Sequence, residues 1–266
     1  MAKARSRVLA AVAALALLGG AGVVWTSTSE EQFVAAPNTA AAGVTEQELA
    51  TAGGVDLFFG HQSVGQNVLD GISSVYTAKG VAAPTITEIR AGETANGGFV
   101  HTAIGENGDP VGKFAAFDSM LRGGQAVHTD VALMKLCYVD IRWNTDVDRV
   151  FAQYQSALGA LQRDYPEVRF LHVTTPLTTS GSVKDRIKAV IGRNDNEARA
   201  RYNQLLRQTY DDQVLDLAAL ESTAPDGSQG SALYDGYSLD GAHLNKTGSA
   251  VVAVGLLRML AYQSKA

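Results

Sequence analysis

From Val55 onward, short apolar runs alternate with stretches whose apolar residues recur at helical spacing. Val55–Phe59 is a compact apolar run ending at Gly60 and predicts a buried strand. Val64, Val68, Ile72, Val75 and Tyr76 then follow the 3.6-residue period of a helix with one apolar face. Thr85–Arg90 predicts a second strand, followed by a Gly-rich loop from Ala91 to Asp109 and a helix opening at Pro110. Val131–Val139 predicts the third strand, apolar except for Lys135. Val147, Val150, Phe151, Tyr154, Leu158 and Leu161 mark a long amphipathic helix, and Val168–Thr174 the fourth strand. Ala198, Tyr202, Leu205 and Leu206 mark another helix, and Val214–Leu217 a fifth strand. Leu244, Gly248, Val252, Gly255, Leu256 and Met259 place a last helix at the C-terminus.

Strands separated by helices predict an α/β fold: a three-layer α/β/α sandwich on a five-stranded parallel sheet, flavodoxin-like in size. Binding and catalytic groups in such sheets gather beyond the C-terminal strand ends, so the segments after each strand carry the candidate chemistry.

The N-terminal segment follows a different pattern. Lys3, Arg5 and Arg7 precede an unbroken apolar stretch, Val8–Trp25, the arrangement of a signal peptide or an N-terminal membrane anchor over residues 1–25. Residues 26–51, rich in Ala, Thr, Ser and Glu, read as a linker, leaving residues 52–266 as one catalytic-sized domain. Both readings of the leader predict a secreted or cell-surface protein.

Charge and composition narrow the function classes. The chain carries 22 basic and 27 acidic side chains, and without residues 1–44 the net charge moves from −5 to −6. A nucleic-acid partner bound through a basic face is not expected, and a membrane contact is expected only through the N-terminal segment. The single cysteine, Cys137, excludes an internal disulfide and a thiolate metal cluster. No cofactor is implied. His61, His101 and His243 with a carboxylate form the alternative of a metal site, without any short His-x-x-x-His spacing to support it.

Two strand edges carry chemistry-bearing residues. In Gly60-His61-Gln62-Ser63-Val64-Gly65, Ser63 stands where the first strand turns into a helix. The free N–H groups and dipole of a helix start favour an oxyanion beside that hydroxyl, although serine also fills such positions as a simple cap. In Asp240-Gly241-Ala242-His243, an Asp three residues before a His can bond one imidazole nitrogen and leave the other as a base.

The order Ser63…Asp240…His243, with serine after the first strand and Asp-x-x-His before the last helix, resembles the SGNH/GDSL serine hydrolases. The Gly-x-Ser-x-Gly elbow of the common α/β-hydrolases is absent. The resemblance implies a catalytic triad of Ser63, His243 and Asp240 acting on an acyl or acetyl ester through an acyl-enzyme. It implies an oxyanion hole from the Ser63 N–H, a Gly after the second strand, and an Asn after the third. Gly92, Gly97 and Gly98 are the candidates for the Gly. The chain departs from the family in two places. Gln62 replaces the Asp before the serine, and Cys137-Tyr138-Val139-Asp140 replaces Gly-x-Asn-Asp, so Asn107 is the candidate for the missing amide.

His61, His101 and Asp140 are candidates for substrate contact. Lys135, inside a strand expected to be buried on both faces, requires a carboxylate partner or a lowered pKa. The expected partner is an ester-bearing small molecule or a glycan. The same residues would serve an acyltransferase, and loss of the third-strand Asn leaves open a non-catalytic glycan-binding module.

Overall fold

The computed structural model describes residues 40–181 and 190–264. The expected leader, Val8–Trp25, and the linker up to residue 39 lie outside the described residues. Among the described residues, no helix is long and apolar enough to cross a membrane.

The sheet has six parallel strands: β1 Leu57–His61, β2 Ile86–Glu88, β3 Phe99–Ala103, β4 Val131–Met134, β5 Arg169–Val173 and β6 Val214–Leu215. Their order is β2-β3-β1-β4-β5-β6, so the five strands inside the β2 edge follow a doubly wound, flavodoxin-like order. The α-helices that lie wholly within the described residues are α1 Glu46–Gly53, α2 Ser63–Lys79, α3 Pro110–Arg122, α4 Val147–Asp164, α5 Asp195–Tyr210, α6 Leu217–Ser222 and α7 Lys246–Gln263.

Period-two alternation along the strands explains the layers. Leu57, Phe59, Phe99, Leu133, Leu171 and Val173 point into one core, beneath α1, α2, α6 and α7. Phe58, Val100, Ala132, Met134 and Phe170 point into a second core, beneath α3, α4 and α5. Strands covered on both faces are apolar at nearly every position, which made β1, β4 and β5 readable as strands. The α2–α7 contact is close because Gly71 has no side chain; a Cβ there would collide with the backbone carbonyl of Ser249.

Four expectations are corrected. The sheet has six strands instead of five, because Phe99–Ala103, assigned to the Gly-rich loop, pairs with β1 along its whole length. Its buried members include His101 and Thr102, polar residues between glycines that carry no strand pattern of their own. The third predicted strand ends at Met134, and residues 135–139 leave the sheet. The fifth is two residues long, because Asp216 accepts the Ala219 N–H and caps α6 immediately afterwards.

The fourth correction concerns the linker. Residues 40–51 belong to the fold: Thr45 and Glu48 form a reciprocal capping box, and Ala41, Val44, Leu49 and Ala52 are buried in the α2–α7 core.

Buried ionisable groups give the domain an acid-sensitive stability. Burial lowers the His61 pKa to about 4 and that of His172 to about 3, and lowers His101 as well. Below pH 6.5 the unfolded chain protonates these rings while the folded chain does not, so stability is lost as pH falls toward about 4. Each such histidine costs about 1.4 kcal/mol per pH unit across its window. Glu221, raised to about 8 by burial, acts oppositely and offsets one proton over the same range. Melting temperature is therefore expected to fall between pH 6.5 and 4.5, less steeply in His172→Gln and more steeply in Glu221→Gln. A flat or rising profile in the wild-type protein would contradict this.

Candidate active site

The turn from β1 into α2 sets Ser63 at the first helical position, after Gln62, whose side chain makes no capping bond. Ser63 is thus not the cap. Its Oγ lies 3.0 Å from His243 Nε2, and His243 Nδ1 lies 2.7 Å from Asp240 Oδ2. A carboxylate only accepts, so the imidazole proton sits on Nδ1 and Nε2 is free to accept from the Ser63 hydroxyl. The second oxygen of Asp240 accepts the backbone N–H groups of Ala242 (3.0 Å) and His243 (2.8 Å). Although burial acts to raise the Asp240 pKa, these bonds and the one from the imidazole hold it below the usual carboxylate range.

The acid–base turn is shaped locally. Gly241 has φ +96, which a side chain would oppose, and its N–H donates to Ser238 Oγ at 2.7 Å. Asn245 caps α7 by accepting from Gly248 N and donates to Gly236 O. The turn is also held from outside: Leu244 N donates to Asn67 Oδ1 on α2, and Thr179 N to Gly241 O. The Tyr138 ring meets His243 edge to face, its centroid 5.9 Å away. Burial, with the Asp240 charge adding, raises the Tyr138 pKa and keeps the phenol neutral.

Several predicted site residues lie elsewhere. Gly97 and Gly98 precede β3 and sit at the N-terminal edge of the sheet, where Gly98 N donates to Asp56 Oδ1 at 3.0 Å; they are remote from Ser63. Gly92 also precedes β3. The glycine that follows β3 is Gly105, and Gln62 Nε2 reaches the carbonyls of Ile104 (2.9 Å) and Gly105 (2.8 Å). Unrecognised β3 is the reason for the misplacement.

His61 and His101 are buried beneath the start of α2 and bonded to each other, His101 Nδ1 donating to His61 Nε2 at 3.1 Å. Neither ring lines an open surface for substrate, and neither converges with His243. Among the described residues, no group of three or more His, Cys, Asp or Glu is placed to hold a metal ion.

Asp140 is likewise no substrate contact. It is 4% exposed, and its carboxylate takes Lys113 Nζ (2.6 Å), Cys137 N (2.6 Å) and Gly108 N (2.7 Å). Of the two outcomes expected for Lys135, a carboxylate partner or a lowered pKa, the carboxylate goes to Lys113. The Lys135 ammonium is buried against Leu136 O (3.3 Å) and Cys137 Sγ (3.8 Å), and burial lowers its pKa. Asn107 lies in the loop after β3, its Oδ1 accepting from Lys113 Nζ at 2.9 Å.

No protein-family model and no curated protein sequence matches this chain. Among solved structures, it is similar to a protein provisionally described as a platelet activating factor from Streptococcus pneumonia. That likeness has a TM-score of 0.51 and 17% identity over 77% of this chain and 82% of the other. The likeness is one of fold: a parallel sheet in doubly wound order, covered by helices on both faces.

Looser similarities extend to a lipase/acylhydrolase from Enterococcus faecalis (TM-score 0.47, 12% identity, 78% of this chain and 95% of that one). They also include a catalytic mutant of an acetylxylan esterase from Geobacillus stearothermophilus (TM-score 0.43, 14% identity, 78% and 94%).

Within this α/β fold, sequence reasoning missed the residues that brace the site. Arg199 on α5 donates from Nε to Tyr138 O (2.8 Å) and from Nη1 to Thr178 Oγ1 (3.0 Å), joining the loops after β4 and β5. Burial lowers its pKa to about 10, which leaves it charged at neutral pH. Glu221 accepts from Leu177 N and is the inner support of the same β5 loop. Each sits on a helix face whose apolar period looks ordinary, so nothing in the sequence marked them.

Proposed function

We propose that this chain is a serine ester hydrolase of the SGNH type, exported from the cell, that cleaves an acyl or acetyl ester through Ser63, His243 and Asp240. The observation that carries this reading is the continuous hydrogen-bonded series from Ser63 Oγ through His243 to Asp240, at 3.0 and 2.7 Å. His243 Nε2 takes the hydroxyl proton as Oγ adds to the ester carbonyl, and returns it to the departing alcohol. Water then adds to the acyl-enzyme by the same proton route and releases the acid. Asp240 keeps the imidazole in the Nδ1–H tautomer and stabilises the imidazolium.

The Ser63 and Val64 N–H groups have no protein acceptor among the described residues, and they stand at the positive end of α2. They suit the negative charge that develops on the carbonyl oxygen. Ser63 is exposed, and so are Gln66, three residues along α2, and Asp240, linked to it through His243. This surround supports an ester of a polar alcohol, such as an acetylated glycan, as the substrate. The basic-then-apolar N-terminus supports export.

A fluorophosphonate probe tests the reading, since it reports an activated serine whatever the natural substrate. Stoichiometric labelling of Ser63, absent in Ser63→Ala and in His243→Ala, is the expected result. A folded wild-type protein that takes no label under conditions that label a control esterase would overturn it.

A further inference from the structure

We propose that Asn107, held by the buried Lys113–Asp140 ion pair, supplies the amide N–H that stabilises the oxyanion, in place of an asparagine after β4. The inference rests on the serine-hydrolase reading above and concerns how that site is completed.

Three observations lead to it. First, the loop's path is pinned. The sheet order β3-β1-β4 puts β1 between the strand that precedes this loop and the strand that leads to Asp140. Gly105, just past β3, is tied by its carbonyl to the side chain of Gln62, the neighbour of Ser63. Gly108 is tied by its N–H to Asp140 Oδ1. Residues 105–108 therefore cross the C-terminal end of β1, where Ser63 begins α2.

Second, the orientation of the Asn107 amide is determined by chemistry. Lys113 Nζ can only donate, so the atom 2.9 Å from it is the amide oxygen, and the NH2 occupies the other edge of the planar group. Asn107 is exposed while Lys113 is fully buried, so the donor edge is turned away from the buried ammonium, on the solvent side of the loop.

Third, the loop is built around the lysine. Gly105 has φ +52, and a Cβ there would meet Lys113 Cγ and N at 2.9 Å. Asp109 caps α3 through Gly112 N at 2.9 Å, which fixes the helix that carries Lys113.

The arrangement is an electrostatic relay. The ammonium draws density toward Oδ1 and makes the amide N–H a stronger donor, while Asp140 anchors the ammonium without reaching the substrate. Where this fold's relatives are expected to use an Asn after the third strand, this chain has Val139, and the donor arrives from the adjacent loop. Asn107 would touch the reacting oxygen; Lys113 is a positioning residue that acts through it.

The test compares wild type, Asn107→Ala, Asn107→Asp and Lys113→Met on p-nitrophenyl acetate, alongside binding of phenylboronic acid, which forms a tetrahedral anion on an activated serine. Asn107→Ala should lower kcat about 10²- to 10³-fold with KM within about threefold, as for loss of one oxyanion donor. Boronate affinity should weaken in step with kcat/KM, while the melting temperature falls by a few degrees because the buried Lys113 ammonium loses one of its acceptors. Asn107→Asp keeps the acceptor that Lys113 needs but removes the donor, and should lose at least as much activity while remaining folded. Lys113→Met should fall by roughly tenfold or more in kcat where it folds; the Asn107 pair decides the matter where it does not.

Asn107→Ala with kcat within threefold of wild type overturns the inference, as does lost kcat with boronate affinity unchanged. Either result, with Ser63→Ala inactive, leaves the hydrolase reading standing. An active Ser63→Ala defeats both.

Discussion

Ser63→Ala is expected to reduce turnover of a short-chain aryl ester by at least about 10³-fold and to leave the fold intact, since removing a triad serine leaves only binding and oxyanion contributions. The Ser63 side chain has one partner, His243 Nε2, and it sits exposed at the first position of α2, where alanine is a better helix former. No buried group loses a bond, so the melting temperature should stay within about 2 °C.

His243→Ala should lose a similar factor, and the double variant should be no worse than either single one, because the pair acts as a unit. Asp240→Asn should cost less, roughly 10²- to 10⁴-fold, through the wrong tautomer. Initial rates with each purified variant check all three. Ser63→Ala retaining a tenth of wild-type activity would show that another group carries the reaction.

Asp140→Ala should be the most damaging substitution to stability, costing about 3–5 kcal/mol, as for breaking a buried ion pair by removing one partner. Both side chains of the Lys113–Asp140 pair are fully buried, so the stranded ammonium cannot reach water. Two backbone donors, Gly108 N and Cys137 N, lose their acceptor in the same step. For a domain of this size each kcal/mol moves the melting point by roughly 2–4 °C, so a fall of about 6–20 °C is expected.

The Asp148–Arg201 pair is the internal control. Its side chains are 74% and 49% exposed, and Asp148→Ala should cost under about 1 kcal/mol. Urea denaturation of the three proteins decides it. An Asp140→Ala protein as stable as the control would mean that water reaches this pair.

How much of this was legible in the sequence depended on how far apart the cooperating residues lie. The Asp240–His243 turn was readable because four consecutive residues contain its chemistry: an acceptor, a left-handed glycine and a base within one turn. The β1–α2 junction was readable because a fully apolar strand stops beside a clean helical period. β3 was not, since its buried polar residues His101 and Thr102 break the apolar run: His101 bonds the His61 ring and Thr102 lies opposite Gly60, pairings that a polarity pattern cannot express. Missing that strand put two candidate glycines, Gly97 and Gly98, at the wrong end of the sheet. Of the two expectations for Lys135, a carboxylate partner or a lowered pKa, burial gives the second, and the carboxylate pairs with Lys113, on a helix whose period gives no sign of it.

By itself, then, the sequence determined the layer architecture, the chain order of serine, acid and base, and the local turn that joins the last two. These follow from periodicity and from contacts within a few residues, where backbone geometry leaves little choice. Only the tertiary structure decided that Ser63 Oγ meets His243 across 180 positions, that Gln62 and Asp140 tie the loop after β3 at both ends, and that Arg199 joins the loops after β4 and β5. Those are long-range hydrogen bonds between single polar groups. Their free energy comes from removing both partners from water together, a condition that neither partner carries in its own sequence neighbourhood.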